Sequence, residues 1–135
     1  MDANLILKAA AATLTGSLPF PEIVSNLLDN GVETYHVDYA ARTFTFYSPT
    51  GGVAHAPLSF EDLPAIAEDF DRPALQAAIR DSQHHGQKFR DFSKRAVTAG
   101  VQGYVAFLRG QRVTYFGRQG DQHTEWFPGA KPPEA

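Results

Sequence analysis

The feature that most constrains this chain is an internal echo. Moved by 69 positions, Phe20, Gly31, Val32, Tyr35, Thr45 and Gly51 fall on Phe89, Gly100, Val101, Tyr104, Thr114 and Gly120 without a gap. Between these identities the apolar pattern also matches. In the first segment Tyr35, Val37 and Tyr39 alternate with Thr34, His36 and Asp38, and Phe44 and Phe46 alternate with Thr43, Thr45 and Tyr47. Alternation with a period of two places one set of side chains on each face of a strand, so these are two half-buried strands. A duplicated unit fixes the expected fold and directs attention to where the copies differ.

The remaining elements follow from punctuation. The Ala- and Leu-rich residues 3–14 predict a helix stopping near Gly16. Pro21 suits the first turn of a helix running to Asn30, with Gly31 in the left-handed position after it. Pro49-Thr50-Gly51-Gly52 is a turn before a short third strand near Val53–Ala56. Ser59 through Asp69 reads as one short helix, with Ser59 and Asp62 near a capping arrangement. Asp71 is a good N-cap, and Pro73 opens a helix to about His85, stopped by Gly86. Phe89–Ala99 is the next helix, ended by Gly100. Strands follow at Val101–Leu108, Arg112–Phe116 and about Gln122–Phe127.

The hairpins check the alignment. A two-residue loop at Ala40-Ala41 pairs Val37 with Phe44 and Tyr35 with Phe46. The equivalent loop, Arg109-Gly110, pairs Ala106 with Val113 and Tyr104 with Tyr115. Both put the apolar set on one face. Arg-Gly has plausible tight-turn chemistry. Ala-Ala does not favour φ > 0, which leaves room for a longer first loop.

The fold class expected is α+β: two α-α-β-β-β repeats forming a largely antiparallel sheet with helices mainly on one face. One domain is expected over residues 1–128, built from units at about 2–57 and 71–127, with 129–135 a loose tail. At 135 residues and 43% apolar the chain can bury a sizeable core. A net charge of −3 with 12 basic residues argues against nucleic acid. The absence of cysteine excludes disulfides, thiolate nucleophiles and iron–sulfur ligation. The start lacks a basic n-region and Lys8 interrupts its apolar stretch, so neither a signal peptide nor a membrane span is read, and a cytoplasmic location is expected.

Phe20-Pro21-Glu22-Ile23-Val24, Gly31-Val32-x-x-Tyr35-x-Val37-Asp38, Gly103-Tyr104 through Val113-Thr114-Tyr115-Phe116-Gly117-Arg118, and His123-x-Glu125 carry a resemblance. Over about residues 15–128 the chain resembles small bacterial proteins of unknown function, whose members are often labelled phage envelope protein. The resemblance implies no catalytic residues, and nothing in the residues suggests an envelope segment.

Several groups of residues are candidates for function. On the face opposite the core the first repeat shows polar residues, whereas the second shows Val105, Phe107 and Phe116 beside Arg112. With helices on one side only, that apolar set needs a cover, and Tyr47 completes a ligand- or partner-binding surface for a second copy or a small molecule. Covering by the Trp126–Pro128 segment is the structural alternative. His36-x-Asp38 and His123-x-Glu125 each set an imidazole and a carboxylate on one strand face, a spacing that serves acid–base chemistry or a metal if the pairs meet, and plain surface polarity if they do not. Tyr35, Tyr104 and Tyr115 fall on the core face, where packing outweighs ligand stacking. His84-His85 suit the end of a helix, and Arg112 and Arg118 offer positive charge to an anion. No phosphate-binding loop, serine elbow or zinc-protease helix is present.

The leading expectation is a non-enzymatic small-molecule-binding or regulatory or interaction protein that works through the open sheet face or the cleft between the repeats. The alternative is a small hydrolase or isomerase using His36, Asp38, His123 and Glu125. No cofactor, metal, nucleic acid or membrane is assigned, and a homodimer is the expected assembly.

Overall fold

Period-two segments become strands and the Gly-stopped amphipathic segments become helices. The computed structural model describes residues 4, 6–8 and 20–130, without the side chain of residue 20. Residues 4 and 6–8 are helical. The rest of the helix expected over 3–14, its stop at Gly16 and the tail beyond residue 130 lie outside the described residues. The order that follows is α1 (Phe20–Asp29), β1 (Thr34–Asp38), β2 (Thr43–Tyr47), β3 (Val53–Pro57), α2 (Arg72–His84), α3 (Phe89–Thr98), β4 (Val101–Phe107), β5 (Arg112–Gly117) and β6 (Gln122–Trp126).

All six strands form one antiparallel sheet in the order β3-β2-β1-β4-β5-β6. Registers in the second half are those of the first moved by 69 positions. Tyr35↔Phe46 recurs as Tyr104↔Tyr115, and Phe46↔Ala54 as Tyr115↔His123. Backbone details recur at the same spacing. Arg42 and Gln111 both have positive φ, 57° and 56°. Tyr39 N–H donates to the Gln102 carbonyl and Leu108 N–H to the Glu33 carbonyl, closing the two ends of the central β1–β4 pair.

Both hairpins have the expected register but longer loops than the two residues expected. The ladders end at Asp38↔Thr43 and Phe107↔Arg112, leaving four residues in each loop. The left-handed position falls on the last of these, Arg42 or Gln111, and Gly110 is not used for it. In the first loop Asp38 Oδ1 accepts from Ala40 N–H and Ala41 N–H, at 3.0 and 2.9 Å.

The core face is the one read from alternation: Tyr35, Val37, Phe44, Phe46, Tyr104, Ala106 and Val113 are all buried. Helices cover it, with Ile23 and Leu27 from α1, Leu75, Ala78 and Ile79 from α2, and Phe92, Ala96 and Val97 from α3. Asp71 caps α2, accepting from Ala74 N–H at 3.1 Å.

Residues 59–69 are not a helix. They form a turn at Glu61-Asp62 and then an irregular strap with a bend at Glu68-Asp69. Pro64 has no N–H and biases Leu63 away from helical dihedrals. Tertiary bonds then take the backbone polar groups: Ala67 N–H donates to the Val97 carbonyl at 2.9 Å, and Asp71 N–H to the Ala99 carbonyl at 2.7 Å. Asp62 does not cap. It accepts from Arg90 and Lys94 of α3, at 2.9 and 2.6 Å. Those bonds hold its carboxyl down at about 2, the Lys94 bond being the larger cause.

Candidate functional site

The sheet keeps the two His/carboxylate pairs apart. Strand parity puts His36 and Asp38 on the open face, in the rows of Thr45 and Thr43. His123 pairs with Tyr115 and Glu125 with Val113, so both belong to the helix-covered face. The four-residue cluster that the hydrolase or isomerase alternative needs therefore does not form. Asp38 shapes its turn, and the His36 ring stands edge-on to Phe116 at 6.4 Å. Among the described residues, no group of three or more His, Asp or Glu is placed to hold a metal.

The open face has a regular grid. Its middle row runs His55, Thr45, His36, Val105, Thr114, Thr124. Side-chain hydrogen bonds cross it, from the Thr45 hydroxyl to His55 Nδ1 at 3.2 Å and between the Thr114 and Thr124 hydroxyls at 3.0 Å. One flanking row runs Val53, Tyr47, Thr34, Phe107, Arg112, Trp126. Val53, Tyr47 and Phe107 are exposed there, and Arg112 lies over the Trp126 ring at 5.1 Å. Val105 and Phe116 are half-buried. Arg118 reaches across to the strap, donating to the Ile66 carbonyl at 3.3 Å. His84 ends α2 and His85 follows it, its N–H bonded back to the Asp81 carbonyl.

A concavity lies on the other side, between the helices and the sheet. It holds about 710 Å³ and is floored by Tyr35, Tyr104, Tyr115 and Val113, walled by Ile23, Ile79, Phe89 and Phe92, and bordered by Glu125, Trp126 and Phe127. Gln83, His84, Gln87 and Lys88 stand at its mouth, where α2 passes into α3. The strand alternation that builds the core therefore also points three phenols at one space. Tyr35, Tyr104 and Tyr115 keep 5–6% of their surface, while Val37 and Ala106 on the same face keep none. That residual exposure is what the walls of a water-accessible cavity show.

The aromatic rings form one continuous group. Tyr104 lies 5.1 Å from Tyr115 and 6.3 Å from Tyr35, and Phe92 lies 6.2 Å from Tyr115. These are the separations at which tilted and edge-to-face rings attract. Behind Tyr104, the Tyr39 hydroxyl meets the buried Ser93 hydroxyl at 2.9 Å. Burial pushes the phenols of Tyr35 and Tyr39 up, partly offset by Tyr104 and Ser93 respectively. Burial raises Tyr104 and Tyr115 too, aided for Tyr115 by its tyrosine neighbours and by the negative charge of Glu125. All four stay protonated near neutral pH, so they serve as hydrogen-bonding groups and ring faces, not as bases.

His123 Nε2 meets Glu125 Oε2 at 2.9 Å, and the His123 ring stacks toward Tyr115 at 6.4 Å. The carboxylate is thus held at the edge of the aromatic floor. Alternation alone marked the tyrosines as core and stopped there. The signal for the site was available in the pairing of β6 with β5, because Phe46↔Ala54 predicts Tyr115↔His123 by the same shift.

No helix among the described residues is long and apolar enough to cross a membrane. Two curated relatives are alike in extent: uncharacterized protein Rv2012 of Mycobacterium tuberculosis (strain H37Rv) and uncharacterized protein Mb2035 of Mycobacterium bovis are each 31% identical over 113 residues, which is 84% of this chain and 69% of theirs. Residues 8–125 match the family described as DUF1398, protein of unknown function. With most of its length inside that match, the chain belongs to the DUF1398 family.

Proposed function

We propose that the protein is a non-enzymatic receptor for a small molecule, held between the helices and the sheet. The observation that carries this reading is the cavity of about 710 Å³ with its aromatic floor. Ligand sites are typically of about 300–1,000 Å³, mostly apolar, with a few placed polar groups. The phenols here, kept protonated by burial, supply those groups without supplying a base. The separation of His36 and Asp38 from His123 and Glu125 weighs against the hydrolase or isomerase reading. The matched registers of the two halves support a duplicated unit as the origin of the fold. The phage-envelope label adds nothing to this reading.

Native mass spectrometry of the purified protein, followed by protein-observed NMR with a fragment library, tests it. Bound fragments are expected to shift resonances of Tyr35, Tyr104, Tyr115 and Phe92. Hits confined to the open sheet face, or none that saturate, would reject the cavity as the site.

A second reading concerns the open face. The uncovered row of Val53, Tyr47 and Phe107 with the Arg112–Trp126 pair supports self-association of two copies through that face.

A further inference from the structure

The wall of the cavity carries information about charge. Its floor presents the rings of Tyr35, Tyr104 and Tyr115, flanked by Phe89 and Phe92. Among the described residues that line it, Glu125 is the one carboxylate. Its side chain is about one-third exposed (35%), and its charge reaches Tyr115 strongly enough to help raise that phenol. Oε2 is engaged by His123, and no described residue donates to Oε1. The lysine at the rim, Lys88, is exposed, so water and salt screen its charge more than they screen the interior.

We infer that the ligand is a hydrophobic amine: an aromatic or aliphatic body bearing one ammonium group that meets Glu125. The inference rests on the receptor reading above and adds the class of ligand. An apolar ligand filling this cavity would strip water from Glu125 and give nothing back, which is costly. An anionic ligand would add repulsion to that cost. An ammonium group restores the lost hydration by a charge-assisted hydrogen bond and is attracted by the electron-rich ring faces around it. His123, bonded to the other carboxylate oxygen, acts as a positioning residue: it holds Glu125 turned along the floor and leaves Oε1 for the ligand.

Three probes with one aromatic body separate the possibilities: 2-naphthylmethylamine, 2-naphthylmethanol and 2-naphthoate. Each is titrated into the full-length protein by calorimetry, with NMR mapping of the tyrosine resonances. The amine is expected to bind about tenfold or more tighter than the alcohol, the size expected of one charge-assisted bond. The naphthoate is expected to bind weakest. In Glu125→Gln the amine should lose about tenfold while the alcohol changes less than about threefold, with an unchanged thermal melt. The probe ranking on the natural protein stands whether or not the variant folds. An alcohol or naphthoate that binds as well as the amine overturns the ligand class and leaves the receptor reading intact. An amine preference that survives in a folded Glu125→Gln protein overturns the role given to Glu125. Absence of binding by all three, with no tyrosine resonance moved, overturns the receptor reading and this inference with it.

Discussion

Gly100 offers a test in which two physical costs can be separated. Gly51, Gly100 and Gly120 all have φ near +90° (91°, 90° and 87°). An alanine at any of them is forced into a region that costs an L-residue about 1–2 kcal/mol. Stiffening the unfolded chain returns about 0.4–1 kcal/mol of that. A Cβ on Gly51 or Gly120 meets nothing within 4 Å, so each alanine should cost about 0–1.6 kcal/mol, the difference of those two terms, centred near 1. A Cβ on Gly100 would sit 2.2 Å from the Asp69 carbonyl oxygen and 2.9 Å from Phe70 Cα. These are backbone atoms, so no rotamer change relieves the contact. The strap must shift, although Asp71 N–H is bonded to the Ala99 carbonyl at 2.7 Å beside it. Overpacking of this kind adds about 1–3 kcal/mol.

Gly100→Ala should therefore cost about 2–4 kcal/mol, against about 1 kcal/mol for Gly51→Ala and Gly120→Ala. Urea melts of the three variants and the natural protein measure this directly. Thermal melts should show Gly100→Ala lowered by about 3–5 °C for each kcal/mol in a chain of this length. The controls carry the dihedral strain alone, so the excess at Gly100 reads the strap contact. Equal losses at Gly100 and Gly120 would refute the packing of residues 69–70 against the end of α3, and with it the account of the segment as a tertiary strap.

Phe46→Ala, at a buried position stacked between Tyr35 and Phe44, should cost about 3–5 kcal/mol; a loss under about 1 kcal/mol in denaturant melts would reject the face assignment. Phe107→Glu should turn a dimer seen by light scattering into a monomer with an unchanged melt, and a natural protein that is already monomeric would sink the self-association reading. The depressed pKa of Asp62 makes its contribution to stability full above about pH 4 and progressively lost toward pH 2, as the carboxyl is protonated and releases Lys94 and Arg90. Asp62→Asn should flatten the natural protein's loss of denaturation midpoint across that window, and an identical acid limb in both proteins would show that the clamp contributes nothing.

What was legible in the sequence was what alternation and turn chemistry determine locally. Tyr35, Val37, Phe44 and Phe46 read as core because one strand period settles their face, and the hairpin registers followed from matching two such periods. The segment 59–69 was not legible, because its backbone is satisfied by the Val97 carbonyl far along the chain, which local propensity does not register. The face of His123 and Glu125 stayed open in the sequence for a different reason. Their spacing was visible, but their face depends on where β6 begins, and the residues from Gly117 to Asp121 set that. Gly117 N–H bonds to the Asp121 carbonyl, just as Ser48 N–H bonds to that of Gly52, so the first hairpin held the answer. The cavity lay beyond either kind of signal, since a void between α1, α2, α3 and the sheet depends on helix placement.

The comparison of the halves adds to the receptor reading we propose. On the duplication we propose, Tyr115, His123 and Glu125 stand where the first half has Phe46, Ala54 and Ala56. The first-half set is apolar and filled in: Phe44 packs on Phe46 and Phe89, Phe89 packs on Phe60, and Ala56 is buried. The second-half set has the same backbone register but carries a phenol, an imidazole and a carboxylate, and it borders the open space. Where the first half has the buried Ala56, the second carries a carboxylate that stays about one-third exposed (35%) and bonded to His123. The first half meets the needs of packing at these positions, and the second departs from it at the residues that meet the cavity. Polar groups set beside the open space at one end of an otherwise matched framework support the receptor reading we propose.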